Sequence, residues 1–206
     1  MSYPAFFDKV PTIQLYDPLG GFLGAFPKGE LEINYYDCAR LAGHSCPTVA
    51  SAFLMAGSGL RALFPDSLPR RSQIKVEMKM PKDEGVTGVI AAVISYIAGA
   101  NDKGGFKGIG GSFARNDLLS FGHADLQGTV RLSRTDTGAS VTLSVDTQSV
   151  PGSPDMMPLM QKALQGIATE EERGDFQRLW QSRVEAMLLD TVLQNNIIDI
   201  NTEETP

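Results

Sequence analysis

The chain of 206 residues has two histidines and two cysteines, and one of each falls in the segment AGHSCPTVA, residues 42–50. His44 and Cys46 stand two positions apart, so an imidazole nitrogen and a sulfur can reach one point across a turn. These are donors that zinc-type ions accept. Pro47, directly after the cysteine, suits the first position of a helix. Cys46 is then expected at or beside the N-cap, where free backbone N–H groups and the helix dipole favour a thiolate. Three readings compete: a metal site, a reactive thiol, and an ordinary turn with a buried, inert cysteine. Two ligands are too few for a structural zinc site. Candidates for a third are Cys38, one or two helical turns upstream, the Asp37 carboxylate, water, or a group from a partner subunit. Cys38 also reads as core, being mid-helix among apolar neighbours.

The second histidine, His123 in FGHAD, is expected at the start of a strand. It joins the 44–46 turn only if the fold brings strand and helix ends together; alone it reads as structural or solvent-facing. GGFKGIGGSFARNDLL, residues 104–119, contains no G-x-x-x-x-G-K-[ST] and no strand–turn–helix context for a dinucleotide. It reads as a loop with close backbone approach that can border a ligand site. Gly110, Gly111, Arg115 and Asn116 are its candidate pocket residues. No Ser-His-Asp grouping and no paired carboxylates stand out.

The elements that must position these groups follow from periodicity. Residues 1–29, rich in Gly, Pro and aromatics, read as an irregular arm packed through Phe6, Phe7, Tyr16, Phe22 and Phe26. The spacing predicts a helix over 30–42, ended by Gly43, and a second from Pro47 to the stops at Pro65 and Pro69. SQIKVEMKM (72–80) alternates as a half-buried strand. VTGVIAAVISYIA (86–98) fits either a strand or a buried helix. ADLQGTVRLSR and ASVTLSVDT flank the turn TDTG at 135–138, a hairpin signal. After a proline-rich linker, Thr169 and Glu172 form a capping box opening a long amphipathic helix through Phe176, Trp180, Val184, Met187 and Val192.

The bulk numbers bound the function. A net charge of −6 and a pI near 4.9 argue against a nucleic-acid or anionic-membrane partner. No apolar run is long enough to span a bilayer. MSYPAFFDKV lacks the basic and apolar regions of a signal peptide. A cytoplasmic protein is expected, with reduced thiols.

LAGHSCPTVASAFLMAGSGLRAL (41–63) resembles the signature of the FmdE family, the E-type subunits of formylmethanofuran dehydrogenase, in which a G-H-x-C-P motif closes one helix and opens the next. GGSFARNDLLSFGHADLQGTVRLSRTDTGASVTLSVD (110–146) is similar to that family's glycine-containing segment and hairpin, so the resemblance covers about residues 30–147. It implies an α+β core, with helices packed on a mixed, mostly antiparallel sheet. It also implies a homodimer, and a pocket where His44 and Cys46 hold a metal. Ala42 stands where many members keep another histidine, His123 replaces a common lysine, and the cysteines of a C-terminal zinc finger are missing.

The expected organisation is an arm (1–29), an FmdE-like α+β core (30–148) and a C-terminal helical extension (149–206). The leading expectation is a cytoplasmic protein binding zinc or another divalent transition metal through His44 and Cys46. Cys38 and His123 are possible additions, and the substrate is a small molecule, not nucleic acid or membrane. One alternative is a thiol-redox enzyme or sensor with Cys46 reactive and Cys38 resolving. Another is a non-catalytic accessory module of a metalloenzyme.

Overall fold

The computed structural model describes residues 3–203. The arm is ordered rather than irregular. A 3-10 turn at Ala5–Lys9 buries Phe6 and Phe7. β1 (Ile13–Tyr16) leads into a short helix, α1 (Pro18–Phe22), and β2 (Glu30–Ile33) returns antiparallel to β1 with Leu15 opposite Leu31. Of the arm's predicted anchors, Phe22 is instead exposed and stacks on Phe113, with ring centroids 5.0 Å apart.

The helix predicted from residue 30 therefore starts later, as α2 (Tyr35–Ala42). Glu30, Leu31, Glu32 and Ile33 alternate as a strand does, and Asn34 sets the boundary. Its side chain accepts from the Asp37 amide, while the Asp37 carboxylate accepts from the Asn34 amide. Gly43, at φ +76°, ends α2 in the left-handed conformation. α3 (Pro47–Leu63) begins at the proline, and every residue from Val49 to Leu60 is buried.

β3 (Ile74–Met78) is followed by α4 (Thr87–Ala98), which resolves the ambiguous apolar stretch as a helix. β4 (Leu119–Phe121) is parallel to β3, and α4 makes the crossover between them. β5 (Val130–Arg134) and β6 (Ser140–Val145) form the predicted hairpin, closed by Gly138 at φ +78°. α5 (Met156–Leu164) precedes α6 (Glu170–Leu189), which opens on the Thr169–Glu172 capping box. The predicted long helix breaks at Asp190, whose carboxylate accepts from the Leu193 amide and starts α7 (Thr191–Ile197). The C-terminal helices then lead into a strand, β7 (Ile198–Glu203), paired along all of β6.

The protein is thus α+β, with a five-stranded sheet in the order β4-β3-β5-β6-β7, parallel only at β3–β4. Ile74, Val76 and Met78 of β3, Val130 and Leu132 of β5, and Leu143 of β6 are fully buried. α3 crosses this surface so closely that a Cβ on Gly59 would lie 2.8 Å from Leu132 and 2.9 Å from Leu143. Gly59→Val is therefore expected to cost about 1–3 kcal/mol by overpacking, read as a lowered urea midpoint. No helix among the described residues is long and apolar enough to cross a membrane.

Candidate functional site

The turn between α2 and α3 brings His44 and Cys46 into direct contact. Gly43 reverses the chain, and Cys46, in extended backbone geometry, caps α3. Its side chain takes no part in capping and lies instead 3.2 Å from His44 Nε2. His44 Nδ1 is 2.9 Å from the Ala42 carbonyl oxygen. A carbonyl only accepts, so Nδ1 carries a proton there, and the ring turns Nε2 toward the sulfur. This backing of one ring nitrogen by an acceptor is how metal-ligating histidines are held.

Ser45, between the two, latches the turn to α6. Its carbonyl accepts from Trp180 Nε1 at 3.1 Å and Gln181 Nε2 at 3.2 Å, and its hydroxyl donates to Gln181 Oε1 at 3.0 Å. The Tyr35 hydroxyl, 3.0 Å away, donates to Ser45 Oγ. Burial raises the Tyr35 phenol above its ordinary range, so it remains a donor. The turn forms one wall of an open, largely apolar cavity of about 720 Å³. Gly43, His44 and Ser45 face Phe7, Tyr36, Phe176 and Trp180 across it. His44 is exposed, while Cys46 is 8% exposed beneath it.

The other predicted site residues lie apart from this pair. Cys38 is fully buried in α2, and burial, then the Asp37 charge, pushes its thiol up to about 12. Iodoacetamide is therefore expected to modify Cys46 of the folded, chelator-treated protein and spare Cys38, as peptide mass mapping would show. His123 follows β4 rather than opening a strand. Its Nε2 lies 2.8 Å from Ser120 Oγ and its Nδ1 3.9 Å from Glu77, which Arg131 grips through two nitrogens. Glu77 alternates with the buried residues of β3, placing this group on the sheet face turned away from the helices. Among the described residues no group of three His, Cys, Asp or Glu side chains is arranged to hold a metal.

In the glycine-rich loop, Gly108 at φ +90° packs against the Ser112 carbonyl, closing a tight turn with a bridge between Ile109 and Ser112. Gly110 and Gly111 form its exposed tip in open space. Asn116 lines a polar cleft beside Arg70 and Gln73. Arg115 turns inward, to a cluster that the sequence pattern does not reveal.

At the centre of that cluster is Asp17, 1% exposed. It accepts from the Gly20 amide at 2.8 Å, Arg71 at 2.6 Å and Arg115 at 2.8 Å. Burial alone would raise its carboxyl; the Gly20 amide and the two guanidiniums overcome this and hold it below the ordinary range. Arg71 also donates to the Ile97 and Tyr96 carbonyls at the C-terminus of α4. Asp17 also caps α1, and its guanidinium partners, 54 and 98 residues away in the chain, leave no local trace in the sequence.

The donors at the turn suit an ion of zinc type. An imidazole nitrogen and a thiolate on one tetrahedral ion stand about 3.5 Å apart, so the observed pair needs to open by only a few tenths of an ångström. No protein-family model matches the chain, and no curated protein matches it.

Proposed function

We propose that the protein binds a zinc-type transition metal ion through His44 Nε2 and Cys46 Sγ, as the FmdE-like motif implies. The observation that carries this reading is the ring orientation: Ala42 fixes Nδ1 and leaves Nε2 directed at the sulfur. The protein supplies two donors, leaving the remaining positions to water or a ligand on the cavity side. A bound ion would supply Lewis-acid polarisation of a water or carbonyl group. Ser45, held by Trp180 and Gln181, fixes the turn, and the aromatic walls favour an apolar small molecule. Elemental analysis of anaerobically purified protein should find near-stoichiometric metal. Metal-free protein that gains none on zinc addition would contradict the proposal.

The same contact supports a second reading, in which His44 acts as base to a reactive Cys46 thiol without metal. Zinc should block alkylation of Cys46, and chelator should restore it, only if the pair binds metal. Labelling indifferent to both would favour the thiol. We also propose, on the same resemblance, a cytoplasmic homodimer, which sedimentation of the purified chain would test for oligomeric state.

A further inference from the structure

A second cavity, of about 400 Å³, lies on the α4 side of the Asp17 cluster. Its size is at the small end of ligand cavities, about 300–1,000 Å³. Arg71, Arg115 and Ser95 line one part of it, and Leu41, Ala91 and Ala92 another. Three observations point to an anion. First, two guanidiniums with side chains 9% and 18% exposed share the single Asp17 carboxylate, leaving one positive charge unmatched. Unmatched charge away from water is costly unless paired. At the rim, Lys82 pairs with Asp102 at 3.9 Å and adds no net charge. Second, two buried polar atoms of these wall residues have no hydrogen-bond partner among the described residues: Ser95 Oγ and Arg115 Nε. Ser95 is only 8% exposed and is part of the cavity wall. Third, Arg71 spends its donors on Asp17 and two carbonyls, whereas Arg115 is hydrogen-bonded to Asp17 alone through one nitrogen.

We propose that this cavity binds a small monocarboxylate, with its head at Arg115 and Ser95 and its short apolar tail along Leu41, Ala91 and Ala92. One negative charge balances the excess guanidinium, and the carboxylate oxygens accept from the Arg115 guanidinium, whose bonds to Asp17 use a single nitrogen, with Ser95 in the wall beside it. The small side chains along α4 leave room for the tail but offer it no polar contact. The site is independent of any metal at His44.

Calorimetric titration of the full-length chain with hexanoate at low ionic strength tests this. Saturable binding is expected, with hexanol at least about tenfold weaker because it lacks the charge. Ala92 is exposed on the wall, so Ala92→Glu adds a repelling charge without touching the buried cluster and should weaken hexanoate at least about tenfold. Ser95→Ala, nearly neutral in volume, should weaken it severalfold and gives an independent reading if Ala92→Glu fails to fold by circular dichroism. Absence of saturable binding to the wild-type protein would overturn the proposal. So would equal binding of hexanol, unchanged affinity in either folded variant, or tighter binding of inorganic phosphate than of hexanoate.

Discussion

Asp17→Asn is expected to destabilise the protein by about 3–5 kcal/mol, because it leaves two buried guanidiniums facing an uncharged amide. Asp17 joins the arm to the ends of α4 and the glycine-rich loop, so its loss loosens three segments together. A urea melt at neutral pH should show the lowered midpoint. The acid limb gives the sign of the electrostatic part. The folded-state pKa of Asp17 is depressed, so its contribution is complete above the ordinary carboxylate value of about 3.9 and is lost as pH falls through the lower folded-state value. The wild-type protein should therefore lose stability on acidification through that window, and the variant should lose less of it. Equal midpoints at neutral pH would show that the trio is not a structural centre.

His44→Ala and Cys46→Ser should each weaken zinc binding by more than about 100-fold. Groups that merely orient a metal ligand are worth about 10–100-fold, and here each change deletes one of two protein donors. Affinity in the wild-type protein should also fall on acidification, since both donors must be free of protons to bind. Neither change disturbs the Ser45 latch to α6, so folding should survive and competitive chelator titration can measure the loss directly. Trp180 is the chain's single tryptophan and donates to Ser45, so its emission reports occupancy of the turn.

Local chemistry was legible where one residue type enforces one backbone state. Pro47 and Gly43 mark the ends of α3 and α2, and the Thr169–Glu172 box marks the start of α6, because each acts through its own neighbours. The His44–Cys46 contact was legible for the same reason. Segments whose pattern suits two states were not settled by sequence. Residues 86–98 are apolar on every side, so periodicity could not separate α4 from a strand. The tetrad Glu30–Ile33 was merged with the following helix, although its alternation and the Asn34 cap argue for a strand. Ile198, Ile200 and Thr202 also alternate, but the helical pattern upstream concealed β7. The Asp17–Arg71–Arg115 trio depends wholly on tertiary packing. Arg115 was singled out for its place after the glycine-rich loop, with nothing to indicate a carboxylate almost a hundred residues earlier.

The central claim is that Nε2 and Sγ share one ion. Titrating the reduced chain with cobalt(II) under anaerobic conditions tests it most directly, because a cobalt–thiolate bond adds a near-ultraviolet charge-transfer band. We predict a band that saturates at near-stoichiometric cobalt, is displaced by zinc, disappears in Cys46→Ser and weakens sharply in His44→Ala. A spectrum without that band, or one unchanged in Cys46→Ser, would contradict the account.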